Sequence, residues 1–586
     1  MTPPRFIAGL GLAADAGITL RQQAQAAGFS LAVDTATLVI ALGPATRSIA
    51  CGRDGIVIGS LFAPGAKRAI DALSPSAAAA ILGSAGQHLV QTYWGDYVAM
   101  LPGRDDTVVV RSPFGHLPCL EAGHAGGLLA ASDIDALWLG GFGRFTLDRE
   151  GILRQLLAGD LRQNATCLAG VEELRGGDQL VVRGETRRRT RLWSPWTFVA
   201  PSRRIEDQAE TERRLRDQVM ACVSLRTATA ARPLVLLSGG LDSSIVATCL
   251  AAADRDFVGL NLRTPDLAGD ERIFARAVAG HIGHDLVERD MTEGVPDIER
   301  LAAVRLPRPV ARSFEQHVYT LALKEAGDLG CDALVDGGGG DNVFCSLQSA
   351  SPAADCLLDP DGRPHFWRLC GDIGQLAETS VWTVAWRAFR RARRAAVPAS
   401  WSIDPRFLPR DALDLAASAV RHPWLEEDVL PLPGRSAYVA NLIAAQGYVE
   451  DGPHGAKHNA ISPLVSQPLI EHCLKIPSWH WFAQGRNRAA ARRAFEPLLP
   501  AQVVWRESKG SPNGLLARLF ETNRLFLRDH LGGGVLAAKN IIDRAAVIAA
   551  IDDPRPAHGT GFGRILQLAD TESWARGILR DSDRTA

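Results

Sequence analysis

The stretch Leu236-Leu-Ser-Gly-Gly-Leu-Asp-Ser-Ser-Ile-Val246 decides the fold. It closes a short apolar run, 233–237, with two glycines that permit a tight turn, and an Ala-rich helical pattern begins at Ser243 or Ser244. Backbone N–H groups of such a turn, joined to a helix N-terminus, form an anion-binding nest. Ser238, Ser243 and Ser244 add hydroxyl donors, so the loop suits a pyrophosphate-sized anion. Asp242 sits inside this anion site, where a bare carboxylate repels phosphate unless a hard cation such as Mg²⁺ lies between them. The chain contains no GxxxxGK[ST] stretch, so this is not a Walker-type phosphate loop.

Working outward, further apolar runs at 257–262, 285–288 and 333–336 alternate with helical patterns, among them 271–282. Such alternation means βαβ units and a parallel sheet covered on both faces. From about 348 onward the chain reads as mainly helical, with proline-rich breaks. Upstream the texture differs. Short strands are expected at 38–42, 55–59, 97–101, 107–111 and 179–183, with helices at 76–89 and 150–161 and a long polar helix at 205–223. The expected organisation is an α/β protein with a mixed, mostly antiparallel unit over 1–200 and a parallel-sheet unit over 201–586.

Composition narrows the function classes. Of 586 residues, 46% are apolar and 22% charged, which excludes a disordered or fibrous protein. Lys plus Arg number 64 against 65 Asp plus Glu, so the basic excess of a nucleic-acid coat is missing. No apolar run reaches the ~18–20 residues that span a bilayer. Ten cysteines without a CxxC pair imply reduced thiols rather than a disulfide framework or a zinc site. The expectation is a cytoplasmic protein with no nucleic-acid or membrane partner.

The 236–246 segment resembles the PP-loop of ATP pyrophosphatases in its S-G-G-x-D-S form, and four more segments follow the order of the asparagine-synthetase-like branch. Asp270-Glu271 is similar to its acidic pair. Val335-Asp-Gly-Gly-Gly-Gly-Asp-Asn-Val-Phe344 resembles its second phosphate and metal loop. Ser462-Pro-Leu-Val-Ser466 resembles a degraded P-F-L-D segment, and Arg488 to Lys509, with Leu499-Pro500 and Arg506-Glu-Ser-Lys509, resembles its R…LP…R-x-x-K tail. The resemblance is strong over 230–515 and weaker over 1–195. It implies cleavage of ATP between the α- and β-phosphates, with AMP passed to a substrate oxygen. It assigns ATP to Ser238, Gly239, Gly240, Asp242, Ser243, Ser244, Gly339 and Gly340, and Mg²⁺ to Asp242 and Asp341. Lys509 and Arg506 become the catalytic cations, with Lys509 facing the developing charge. Asp242 and Asp341 each follow a glycine-rich turn after a strand, so both can converge at the C-terminal edge of the sheet, where ligands bind in open α/β sheets.

The N-terminal unit resembles a glutamine-amidotransferase (Ntn-type) sandwich in fragments, Arg111-Ser-Pro-Phe-Gly115 and Ala131-Ser-Asp-Ile-Asp135. The chain opens Met1-Thr2-Pro3, without the nucleophilic cysteine of that family at the second position, so the amine is expected to come from the substrate itself. Gly339-Gly-Asp-Asn-Val-Phe344 and Ser313-Phe-Glu-Gln316 resemble the lasso-peptide macrolactam synthetases most closely. That resemblance implies activation of an Asp or Glu side chain in a ribosomal precursor peptide and ring closure by the peptide's N-terminal amine. A leader peptidase of the same pathway is the implied partner. An ammonia-dependent asparagine synthetase and a β-lactam synthetase-like enzyme are the alternatives, and a scaffold with a decayed nucleotide site is the non-enzymatic one.

Weaker features read as structural. His281 and His284 lie in a helix-to-strand connection, and Arg187-Arg-Arg189 follows a strand end. Arg387 to Arg394, preceded by Trp382 and Trp386, reads as a solvated helix face over two core tryptophans, with docking of an acidic leader or partner as the alternative.

Overall fold

The computed structural model describes residues 4–264, 270–291, 298–299, 306–310, 313–395, 401–426, 432–450, 459–506, 510 and 513–584. The N-terminal strands form two six-stranded sheets, antiparallel throughout. One holds Phe6–Leu10, Ser30–Asp34, Leu38–Leu42, Leu120–His124, Gly127–Ala131 and Val171–Glu173. The other holds Ser48–Cys51, Gly55–Phe62, Trp94–Pro102, Thr107–Arg111, Asp178–Arg183 and Thr186–Arg191.

Alternation along each strand explains why these runs are apolar without a break. Phe6, Ala8, Ile40, Ile58, Val98, Val109 and Leu180 fill the space between the sheets. Their neighbours Ile7, Ala41, Val57, Ala99 and Val110 point the other way, into a helix-covered core. Ala14–Ala26 and Ile134–Leu139 cover the first sheet, Pro75–Gly83 and Gln87–Thr92 the second. The single helix expected at 76–89 is thus two. Ala85 and Gly86 adopt positive φ (49° and 87°) and break it where Gly86 approaches the Val110 side chain.

The parallel sheet runs in the order Leu286–Asp290, Val258–Arg263, Pro233–Leu236, Ala333–Val335, Asn459–Ile461. Leu234, Val258, Leu260 and Leu334 pack one face against Ala322 and Ala326 of the helix Ser313–Asp328. The opposite face meets Ile245 and Val246 of Leu241–Ala252 and Val278 of Arg272–Ile282. The edge strand Asn459–Ile461 was not expected; three residues carry too little periodicity to read. From Pro233–Leu236 the chain runs to Val258–Arg263 on one side and later to Ala333–Val335 on the other. The crevice opened by that reversal lies at the C-terminal ends of the two central strands.

Two expectations change in the helical layer. The helix after the glycine turn starts at Leu241, so Asp242 and Ser243 lie in its first turn. Trp382 and Trp386 are not core residues: they are 69% and 56% exposed, while Val384 and Ala388 take the inward face of Val381–Ala392. No described helix is long and apolar enough to cross a membrane.

The N-terminal sandwich is fastened to the remainder by a buried charge cluster. Glu173 receives Arg111 (3.0 Å), Arg162 (3.2 Å) and Arg308, the last from the 201–586 segment. The surplus guanidinium hydrogens go to carbonyls, Arg111 to Leu117 and Leu174, Arg308 to Gln163 and Ala165. These three cations hold the Glu173 carboxyl far below the ordinary range against the burial that would raise it.

Candidate active site

The strand Pro233–Leu236 ends at the crevice, and Ser238, Gly239 and Gly240 turn the chain into the helix Leu241–Ala252. The Gly240 N–H donates to Ser238 Oγ (3.2 Å), and Ser238 and Ser243 hydroxyls stand 3.2 Å apart. Ser244 does not join them. Its side chain is fully enclosed and its N–H donates to the Gly240 carbonyl, so Ser238 and Ser243 are the hydroxyls that meet each other in the loop.

The second glycine loop, 337–340, follows Ala333–Val335 and lies directly on the first. A Cβ on Gly337 would sit 2.5 Å from the Ser243 nitrogen, and one on Gly340 2.7 Å from the Asp242 carboxyl carbon. Only glycine permits that approach, and it is what sets Asp341 beside Asp242. One guanidinium nitrogen, Arg488 Nη1, donates to both carboxylates: to Asp242 at 2.8 Å and to Asp341. Burial opposes the charge on Arg488, and the two carboxylates outweigh it and hold it charged.

A group that brings Asp242 and Asp341 onto one nitrogen marks a spot that a single cation can share. The donor set, hard carboxylate oxygens beside a phosphate loop, fits Mg²⁺. Among the described residues no cluster of three or more His, Cys, Asp or Glu exists, so phosphate oxygens would supply the other ligands.

Arg506 is elsewhere. Its Nη2 pairs with Glu271 Oε1 (2.9 Å), and its guanidinium stacks 3.8 Å from the Phe274 ring centre. Glu271 also accepts the Gly510 N–H (3.0 Å). Asp270 is turned to Arg272, which lowers its carboxyl to about 2. Phe274 lies against the Gly239 turn, so Arg506 flanks the phosphate loop without touching the carboxylate pair. Its Nε and Nη1 are buried with no partner among the described residues, as N–H groups meant for an anion would be. Lys509 lies outside the described residues.

The sequence reading missed a third group. Asp336, at the end of the Ala333–Val335 strand, is buried and accepts from Ser462 Oγ (2.7 Å), the Gly338 N–H (2.9 Å) and the hydroxyls of Tyr319 and Tyr448 (3.2 Å each). Burial first, against these hydrogen bonds, raises its carboxyl. Both phenols are held protonated, by burial and then by the Asp336 charge. The Tyr448 ring edge occupies the space where a Gly338 side chain would be, placing its hydroxyl beside the second loop. A partly exposed phenol backed by a buried carboxylate can accept a proton while passing its own inward. The available signal was scarcity: the chain has only five tyrosines, and this cluster uses two.

Over 124 residues the chain is 33% identical to a tRNA-specific 2-thiouridylase of Rhizorhabdus wittichii, covering 18% of this chain and 33% of that protein. Over 165 residues it is 30% identical to the Cereibacter sphaeroides enzyme of the same name, covering 25% and 43%. The chain therefore matches less than half the length of these curated relatives. Among solved structures, the glutamine phosphoribosylpyrophosphate amidotransferase of B. subtilis matches at 12% identity and a TM-score of 0.21, covering 43% of this chain and 65% of that one. An allosteric regulatory enzyme of purine biosynthesis matches at 10% and 0.22, covering 51% and 82%. The asparagine synthase model matches residues 214–442 and 454–576, more than half of the chain and all of the crevice residues just described except Tyr448. On that match the chain belongs to the asparagine synthase family.

Proposed function

We propose that the chain is an ATP-dependent, AMP-forming macrolactam synthetase of the lasso-peptide type. It adenylates an Asp or Glu side chain of a ribosomally made precursor peptide and closes an isopeptide ring with the peptide's own α-amine. The observation that carries this reading is an intact carboxylate pair at the phosphate loops combined with a sandwich that offers no activated thiol. All ten cysteines are buried, and burial raises the Cys51, Cys119 and Cys167 thiols of the sandwich. A glutaminase needs a reactive thiolate to release ammonia. Without one, glutamine is not the nitrogen source, and in this reading the amine arrives with the substrate.

The residues divide the work. Ser238, Ser243 and the N–H groups of the two glycine loops bind the phosphates, and Arg506 flanks them. Mg²⁺ held by Asp242 and Asp341 would neutralise the triphosphate and the departing pyrophosphate. Attack of the peptide carboxylate on the α-phosphorus forms the acyl adenylate and breaks the α–β bond. The amine then adds to the acyl carbon, AMP leaves, and the amine's proton passes to Tyr448 as the phenol hands its own to Asp336. Lys509 is proposed to offset negative charge in both steps.

The test incubates the chain with ATP, Mg²⁺ and a precursor core peptide that has a free α-amine and an internal Asp or Glu. Expected are AMP, pyrophosphate and a product lighter by one water, with no gain on adding glutamine or ammonium. Conversion of free aspartate to asparagine with ammonium, and no reaction with peptides, would move the assignment to the ammonia-dependent alternative.

A further inference from the structure

Two helices, Phe366–Leu376 and Val381–Ala392, pack side by side on Ser351–Leu358 and turn an unusual face outward. Trp367, Trp382, Trp386 and Phe389 are 57%, 69%, 56% and 48% exposed. On the second helix, positions 382, 386, 389 and 393 share one stripe and 387, 390 and 394 the next, from the 3.6-residue period. The aromatic stripe continues across to the first helix through an edge-to-face pair, Trp367 on Trp382, with centroids 5.5 Å apart. The basic stripe leans on it: the Arg390 guanidinium lies 4.7 Å over Trp386 and Arg393 4.4 Å over Phe389.

This face is charged as well as apolar. Residues 380–395 contain no Asp or Glu, although the whole chain is at net charge −1. Arg387, Arg390, Arg393 and Arg394 have no carboxylate partner among the described residues. Arg391 instead points inward to Ser349 (2.9 Å) and Ser351. Contiguous exposed aromatic surface of this kind marks an interaction site.

We propose that this face docks an acidic, amphipathic polypeptide segment, its apolar side chains on the Trp382–Trp386–Phe389 stripe and its carboxylates along Arg387, Arg390 and Arg394. Charge complementarity selects the carboxylates, and the parallel stripes select a ligand with apolar and acidic edges. Nucleic acid fits less well because base stacking needs free ring faces, and Arg390 and Arg393 already occupy one face each of Trp386 and Phe389, leaving the ring edges to apolar side chains. A lipid surface fits less well because Arg393 lies within the aromatic stripe and would be drawn toward hydrocarbon with it. The face is also continuous with the catalytic layer. Asp372 of the first helix accepts the Gly485 N–H (3.0 Å) three residues before Arg488, and Arg391 holds the segment that follows Asp341.

The docking site is independent of the reaction proposed above and is tested without it. The probe is a fluorescein-labelled peptide of five Glu-Glu-Leu-Phe repeats, read by anisotropy on the full chain, beside the same peptide with Gln for Glu. Binding should weaken about tenfold or more in Trp382→Ser/Trp386→Ser, as truncation of aromatic anchors does. A similar loss is expected in Arg387→Glu/Arg390→Glu/Arg394→Glu and with the Gln peptide, while the unfolding midpoint stays at the wild-type value. The proposal is overturned by absent binding, by equal binding of the Gln peptide, or by variants that bind as wild type. It is equally overturned if the face prefers vesicles of phosphatidylglycerol or single-stranded RNA over the peptide, or if the variants abolish a self-association of the chain.

Discussion

Arg488 bridges Asp242 and Asp341, so one positive charge already offsets half of the carboxylate pair before any nucleotide arrives. Asp242→Asn and Asp341→Asn should each abolish ATP–pyrophosphate exchange, with circular dichroism unchanged, because each removes half of the anionic charge facing the metal. Full exchange in either variant at ordinary Mg²⁺ would refute the shared site. Removing one partner of a buried ion pair costs about 3–5 kcal/mol, so Arg488→Ala should melt lower than wild type. Mg²⁺ should restore more of that loss in the variant than it adds to the wild type; equal Mg²⁺ shifts would argue against a common position. Tyr448→Phe should slow ring closure while exchange persists, since only the second step needs the phenol. The two aspartates were legible because each sits in a glycine turn after an apolar strand. Tyr448 was not, because its partner Asp336 is 112 positions away and nothing local in either segment announces the pairing.

The two glycine loops act as one element. Gly340→Ala would push a methyl group to within 2.7 Å of the Asp242 carboxyl carbon, and the three nearest atoms all belong to the Asp242 side chain, so the carboxylate itself would have to move. ATP affinity, measured by calorimetry, should fall at least about tenfold, as a displaced positioning group makes it fall; wild-type affinity would mean that the loops are not in contact. Strand–turn–helix order was readable here because parallel strands buried on both faces are continuous apolar runs. Positions where packing overrides local pattern were not: the helix break at Ala85-Gly86 answers Val110, and the outward tryptophans of Val381–Ala392 share a periodicity that a core stripe would show equally well. The difference between Ser243 and Ser244 was hidden for a related reason. Adjacent helix-start serines look alike in sequence, but 100° of rotation separates one at the crevice from one in the core.

Across the whole molecule, three histidines, His422 buried and His472 and His480 half-buried, tie stability to acidity. His422 is pushed down to about 3, and His472 and His480 to about 4, burial being the chief cause in each and neighbouring cations the second. The folded chain keeps them neutral where the unfolded chain, with an ordinary value of 6.5, takes up protons. Stability should therefore be full above pH 6.5 and fall as the pH drops toward 4, by on the order of 1 kcal/mol per pH unit for each histidine. A urea midpoint that stays flat from pH 7 to pH 4.5 would contradict this. His422 sits where the Trp424 ring meets Phe114 and Trp193 of the sandwich, so acid should loosen that seam. Deleting residues 1–200 should give an aggregated chain on size exclusion, because it uncovers this aromatic seam and leaves Arg308 without Glu173. The Glu173 knot also bears on how such proteins can be recombined. A sandwich transplanted from a relative would bring its own acid to meet Arg308, or none at all, and two foreign halves would each carry unanswered charge into the joint. Shuffling between relatives should therefore succeed only when the stretch 306–310 travels with the sandwich it fastens, although more than a hundred residues separate the two in the gene.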